Sequence, residues 1–332
     1  MPSSFSEQYL YLAPLRGITD RIFRTVFEKH FGTFNYMVAP FISTIQGTQV
    51  RPTYFRDLLP QQNDTRRLVP QIIGNDSDGF VLLCKMLSDA GYKSVNWNLG
   101  CPSPLITRKR RGSGLLPHAE IIESFLDQTV PRLSVCLSIK ARLGFKNPTE
   151  LQKIIPILNN YPLRELIIHP RTGNQMYSGT VDLDHFEQCS RLCRHKLIYN
   201  GDIGSKADMQ ILSKRFPDLH GYMVGRGILR YPYLLELFRK GTTDESTDRI
   251  KAFHDELFFA NQNVLAPPNL LGKMKELWKF MGQGFHEGEH FTAKILRADK
   301  IETYNHYICD FFSKCSREKS HDILSDFYFP CE

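Results

Sequence analysis

An α/β fold, a (β/α)8 TIM barrel followed by a small all-helical C-terminal domain, is the architecture this sequence predicts. Three observations carry that reading. Eight short apolar runs recur between residues 9 and 224, stretches with apolar residues at helical spacing separate them, and only helical patterns follow a polar segment at 239–247. Eight strands alternating with helices in roughly 250 residues fit a barrel, whereas a doubly wound sheet would use fewer. The runs read as continuously apolar, as expected of strands covered on both faces.

The strands are expected at Tyr9 to Ala13, Tyr36 to Phe41, Leu68 to Ile73, Ser94 to Leu99, Leu137 to Arg142, Glu165 to His169, Leu197 to Asn200 and Gly221 to Val224. After the first strand, Ile22, Phe23, Val26 and Phe27 share one helical face behind a Thr19 cap; after the third, Val81, Leu82, Met86 and Leu87 follow a start at Asp76 to Asp78. Beyond the polar stretch Arg239 to Thr247, read as a linker, three further faces appear. They are Phe253, Leu257 and Phe258; Met274, Leu277, Trp278 and Met281; and Ile301, Tyr304, Ile308, Phe311 and Phe312, which predict a helical core. The chain is therefore divided into a barrel, 1–243, and a helical domain, 244–332.

Composition sets the outer limits. The 332 residues are 42% hydrophobic and 23% charged, ordinary for an ordered globular chain. The eight cysteines (84, 101, 136, 189, 193, 309, 315 and 331) show no paired CxxC spacing, and Met1 to Phe5 lacks a basic and then apolar leader, so a reducing cytoplasm is expected. Cys189 and Cys193 stand at helical spacing without a second pair, which points to helix packing and no metal site. No run approaches the roughly 18 apolar residues of a membrane span. Of 42 basic and 35 acidic residues, only 10 and 12 fall at 250–332; the first 249 residues hold 32 and 23 and carry the basic excess.

Function is predicted at the strand ends, where barrel chemistry collects. The fourth strand runs into Asn98-Leu99-Gly100-Cys101-Pro102-Ser103-Pro104, and two prolines force the chain to leave the strand at once, presenting the Cys101 thiol at the mouth. Seven residues on, Arg108-Lys109-Arg110-Arg111 precedes Gly112-Ser113-Gly114, read as a mobile, glycine-hinged basic loop suited to a polyanion. The other ends carry Pro14, Leu15 and Arg16, Gln71, Lys140 and Arg142, His169 and Arg171, Asn200-Gly201-Asp202, and Gly225-Arg226-Gly227. Glycines after strands seven and eight let backbone amides approach a phosphate. Lys140 offers charge beside an electron-rich ring, and Gln71 offers a donor and an acceptor to a planar heterocycle. FMN suits this set better than a dinucleotide, since no Gly-x-Gly-x-x-Gly follows the first strand.

In this order, Ala13-Pro14-Leu15-Arg16-Gly17-Ile18-Thr19-Asp20, Asn98 to Pro104, Lys140-Ala141-Arg142-Leu143-Gly144, Ile168-His169-Pro170-Arg171-Thr172, Tyr199-Asn200-Gly201-Asp202-Ile203 and Val224-Gly225-Arg226-Gly227 resemble the motif series of the bacterial-type tRNA-dihydrouridine synthases. Leu15 stands where that family more often has Met, and Pro170 where it has Gly or Ala. The resemblance implies an FMN barrel that reduces a uridine of tRNA, with NADPH regenerating the reduced cofactor. It implies that Pro14, Leu15 and Arg16 line the FMN, that Gln71, Lys140 and His169 contact its ring, and that Asn200, Gly201, Asp202, Gly225 and Arg226 hold its phosphate end. Asn98, Arg142, Arg171 and the basic run Arg108, Lys109, Arg110 and Arg111 would meet the RNA. No membrane or metal partner and a monomeric protein are expected.

The chemistry needs a hydride at C6 of uracil and a proton at C5, delivered to opposite faces. Cys101 is the expected acid, because a thiol with a pKa near ~8.5 is protonated at neutral pH. Three other readings remain open on the residues alone. They are another FMN barrel acting on a small pyrimidine, such as a dihydroorotate dehydrogenase, a catalytically silent RNA-binding barrel, and a Schiff-base aldolase built on Lys140.

Overall fold

A computed structural model of the chain describes residues 8–45, 50 and 52–316. Met1 to Phe5, read above for a leader, and Cys331 lie outside the described residues. Ten parallel strand segments form one sheet: β1 (Tyr9–Leu12), β2 (Tyr36–Val38), β3 (Ile42–Ser43), β4 (Leu68–Val69), β5 (Gln71–Ile73), β6 (Ser94–Leu99), β7 (Cys136–Gly144), β8 (Leu163–Thr172), β9 (Leu197–Tyr199) and β10 (Gly221–Val224). They amount to eight barrel strands. Pro70, which has no N–H to give the ladder, separates β4 from β5, and Pro40 lies between β2 and β3. The second and third strands pair on both sides of these interruptions, Met37 with Leu68 and Ile42 with Ile72. The ring closes where β1 pairs with β10, Leu12 beside Val224.

Strand polarity differs from the expectation. Along β6 the residues alternate: Val95, Trp97 and Leu99 enter the core beneath the outer helices, while Asn96 and Asn98 point into the barrel and bond there. On β7, Leu137, Ile139, Ala141 and Leu143 likewise face out, leaving Ser138, Lys140 and Arg142 on the inner side. Both faces are covered, so the strands are buried throughout even though their inner face is polar. The remaining inner side chains, Tyr11, Ala13, Val38, Val69, Ile167, Ile198 and Met223, form a separate small cluster inside the barrel. The outer core is anchored on β6, where Trp97 stacks on Phe125 with ring centroids 4.1 Å apart.

Two local expectations are corrected. The first helix, Arg21–Phe31, is capped by Asp20, whose carboxylate accepts from Phe23 N at 3.1 Å; Thr19 is buried and its hydroxyl accepts from Leu15 N instead. Arg239 and Lys240 belong to the helix Leu234–Lys240, which ends at Gly241 in the left-handed conformation (φ 77°). The connection is thus shorter than expected, and the next helix starts at Thr247 behind a Ser246 cap.

Helices Thr247–Gln262, Pro267–Met281, Gly288–Arg297 and Ile301–Lys314 follow, with Phe253, Leu257, Met274, Trp278, Tyr304 and Phe311 buried. Phe253 meets Phe23, Phe27 and Phe31 edge to face, so this region is seated on the first barrel helix. Among the described residues, no helix is long and apolar enough to cross a membrane, and no group of three or more His, Cys, Asp or Glu could hold a metal. Cys189 is buried within Leu183–Leu192, and Cys193 is the residue that ends that helix.

Candidate active site at the barrel mouth

The C-terminal ends of the strands enclose a cavity of about 390 Å3. Pro14, Leu15, Lys140, His169, Arg171, Asn200, Gly201, Asp202, Gly225 and Arg226, all singled out from the sequence, are on its wall. Arg16, Gln71, Asn98, Cys101 and Arg142 are not. They lie behind or beside that wall and do different work. A wider groove of about 1430 Å3 opens where β9 and β10 begin, beside Gln8, Leu197 and His220, and contains none of the predicted site residues. Size alone does not locate the chemistry.

Behind the wall runs a chain of polar side chains across three strands. Asn96 Nδ2 donates to Ser138 Oγ (2.9 Å), Gln71 Nε2 to Asn96 Oδ1 (2.7 Å), and Asn98 Nδ2 to Gln71 Oε1 (2.7 Å). Asn98 Oδ1 then accepts the backbone N–H groups of Gly100 and Cys101. Gln71 is fully buried, and each end of its amide makes one of these bonds, so it orients Asn98. Arg142 holds the same turn from the other side, donating to Gly100 O (3.0 Å) and Thr172 O (2.8 Å).

Cys101 is half-buried. Burial pushes its thiol pKa up, against the opposing pull of the Ser103 backbone and of Arg142, Arg16 and Lys140, so the group is a thiol at neutral pH. The segment after it is pinned, contrary to the mobile loop expected. Ser113 N and Oγ both donate to Cys101 O, at 3.0 and 3.1 Å, and Gly112 to Leu115 are buried. Gly112 (φ 57°) is there for close approach, since a Cβ would stand 2.6 Å from Cys101 O. Arg108, Lys109 and Arg110 remain exposed on this rigid base, while Arg111 Nε donates to Asn75 Oδ1.

On the far wall, Asp202 holds two arginines. Arg171 meets both its oxygens, one at 2.9 Å, and Arg226 donates to Oδ1 at 2.7 Å. Asp202, expected at the phosphate end, uses its carboxylate to orient these two cations. Arg171, expected at the substrate, is buried and also donates to Gly179 O and to His169 Nε2 (3.2 Å). A guanidinium can only donate, so His169 Nε2 accepts and the imidazole is neutral. Burial, helped by Arg142, Lys140 and the neighbouring arginines, holds the His169 pKa well below its ordinary value. Burial beside Arg142 likewise brings the Lys140 ammonium down to about 7.

Tyr177 escaped the sequence reading. Its ring lies between Arg142 and Arg226, 5.2 and 5.0 Å from the two guanidinium carbons, and it is 51% exposed at the cavity wall. The available signal was an aromatic residue inside a polar loop bounded by Gly173 and Gly179. Of the four non-glycine residues with positive φ among the described residues, Arg110, Met176 and Asp202 belong to these mouth loops.

A family model described as dihydrouridine synthase (Dus) matches residues 11–293. The chain belongs to the dihydrouridine synthase family. As a dihydrouridine synthase it is an oxidoreductase, since dihydrouridine differs from uridine by two hydrogens across C5–C6. The reading as a uridine reductase is thereby favoured over the binding-only, small-pyrimidine and aldolase alternatives. The tRNA-dihydrouridine synthase B of Pasteurella multocida (strain Pm70) is 27% identical over 234 residues, which cover 69% of this chain and 68% of that protein. The tRNA-dihydrouridine(16) synthase of Vibrio parahaemolyticus serotype O3:K6 is 23% identical over 303 residues, covering 87% and 92%. A solved variant of NCR from Zymomonas mobilis shares the barrel fold, with a TM-score of 0.50 at 12% identity over 76% of this chain and 96% of that one.

Proposed function

We infer that this dihydrouridine synthase reduces a uridine of tRNA, using FMN in the mouth cavity, NADPH as reductant and Cys101 as proton donor. The observation that carries the reading is the anchored turn: Asn98 and Arg142 hold a protonated thiol beside a cavity walled by Lys140, His169 and Arg226.

The wall suits a flavin. About 390 Å3 is within the ~300–1,000 Å3 of small-molecule clefts, and apolar Ala13, Pro14, Leu15 and Met223 share the wall with polar groups. At Gly225 a side chain would fill the slot, its Cβ 3.3 Å from Ala13 Cβ and 3.9 Å from Leu15 Cδ2. Asn200, Gly201, Gly225 and Arg226 would hold the phosphate end, with Asp202 orienting Arg226; Pro14, Leu15, Lys140 and His169 would face the ring. Bound there and reduced by NADPH, FMN would supply the hydride for C6.

The chain's own part is proton delivery and positioning. Cys101 Sγ gives its proton to C5, and the resulting thiolate is reprotonated from solvent. Lys140, easily uncharged when the cavity holds no anion, gains a proton and a counter-charge when one is present. Arg108, Lys109 and Arg110 take RNA phosphates, and the helices from Thr247 to Lys314 extend that surface beyond the barrel. A uridine within folded tRNA must turn outward to reach the mouth, at a cost of a few kcal/mol.

The deciding experiment is to purify the protein, record its visible spectrum and map dihydrouridine in tRNA from cells lacking it. Flavin absorbance together with loss of dihydrouridine at defined positions is expected; a colourless protein after reconstitution, or unchanged tRNA, overturns the reading.

A further inference from the structure

One side of the mouth cavity is not supplied by the barrel. Phe280 and Gln283, from the helical region, line it beside Gly225, Arg226 and Arg230. The junction that brings them there is closely fitted. Gln283 O accepts from Arg230 Nε at 3.1 Å, and a Cβ on the next residue, Gly284, would stand 2.5 Å from Arg230 O. Met281, Gly282 and Gly284 are buried, so the segment has little freedom to move away.

The helix that carries Phe280 also meets the adjoining wall, after β1. Lys273, two turns before Phe280 and on the same face, pairs with Asp20 and donates to Gly17 O at 3.5 Å. Gly17 and Asp20 belong to the loop that carries Pro14 and Leu15. Helix Pro267–Met281 therefore spans from the loop after β1 to the loop after β10, and these two loops bound the cavity.

We propose that the helical region is part of the cofactor site: Phe280 and Gln283 close the cavity, and retention of the flavin depends on them. This rests on the flavin reading above. Phe280 is half-buried and adds an aromatic side chain beside Gly225, Arg226 and Arg230. The region then serves two purposes, RNA contact outside and cofactor enclosure inside.

Phe280→Ala and Gln283→Ala are made in the full chain, their folding checked by circular dichroism. Each protein is freed of cofactor and titrated with FMN by flavin fluorescence. The dissociation constant is expected to rise about tenfold for Phe280→Ala, as loss of much of one aromatic contact implies, and severalfold for Gln283→Ala. Phe280→Leu, which keeps an apolar side chain, should stay within about threefold of the parent. Parent-like affinity in both alanine variants overturns the proposal while leaving the flavin reading intact. Absence of FMN binding by the parent protein overturns the flavin reading itself. Should Phe280→Ala not fold, Gln283→Ala decides, because Gln283 is exposed and the bond its side chain makes, Nε2 to Lys279 O at 2.7 Å, lies at the helix end outside the core.

Discussion

Asn98 Oδ1 accepts the backbone N–H groups of both Gly100 and Cys101, at 3.0 and 2.8 Å. One side chain thus sets the direction in which the thiol leaves the fourth strand, and that side chain is itself held by Gln71. Asn98→Ala removes the acceptor and leaves Gln71 Oε1 without the donor it has now, while Gln71 Nε2 keeps Asn96. Turnover should fall by about two orders of magnitude, because small displacements of a reacting group cost that much. Rapid-quench measurement of dihydrouridine checks this; a rate within threefold of the parent would show that the turn holds itself.

Asp202 is the sole carboxylate joined to Arg171 and Arg226 by the hydrogen bonds described above, and Arg171 is almost wholly buried. In Asp202→Ala a buried guanidinium loses its counter-charge, which destabilises by about 3 kcal/mol. Urea unfolding reads this directly. A loss below ~0.5 kcal/mol would mean that Arg171 finds its compensation elsewhere.

Arg108, Lys109 and Arg110 stand exposed on a base that Gly112 and Ser113 pin to Cys101. Replacing all three with Glu should weaken tRNA binding and reduce the slope of log affinity against log salt by about 2 to 3, at roughly 0.7–0.9 per phosphate contact. Filter binding across a salt series tests it, and an unchanged slope places the RNA elsewhere.

Much of this was legible from the sequence, for a physical reason. The strand ends carry residues that no packing requirement would select, such as Gly100-Cys101-Pro102 and Gly225-Arg226-Gly227, so the barrel mouth stood out from its scaffold. Partnership was harder to read. That Gln71 supports Asn98, that Asp202 serves two arginines, and that Gly112 is a contact point and not a hinge depend on side chains brought together from different strands. Tyr177 was missed because an aromatic residue in a loop has no periodicity to betray it. The cavity wall at Phe280 and Gln283 arises from a segment whose own pattern speaks only of helical packing.

The helical region has its own titrating group. His254 Nε2 lies 2.8 Å from Tyr304 OH, which accepts from Trp278 Nε1, and His254 Nδ1 lies 2.8 Å from Asp255 Oδ1. Tyr304 has one proton to give, so the imidazole is neutral with Nδ1–H toward Asp255; Lys251 is the other charge nearby. Burial lowers the His254 pKa, against the opposing pull of Asp255. The unfolded ring binds a proton near ~6.5 and the folded ring only below that, so stability declines as pH falls through this range and is unaffected above about pH 7.5. Unfolding free energies at pH 7.5 and 5.5 should differ less in His254→Gln than in the parent. An equal pH dependence in both would remove His254 from the account.

The most direct test is the single-turnover rate of Cys101→Ala on unmodified tRNA, with its visible spectrum and tRNA affinity measured alongside. The expected result is a parent-like spectrum and affinity with dihydrouridine formation slowed at least ~100-fold, the contribution typical of a positioned general acid. Formation of dihydrouridine at the parent rate would contradict proton delivery by Cys101, and with it the reading of the mouth.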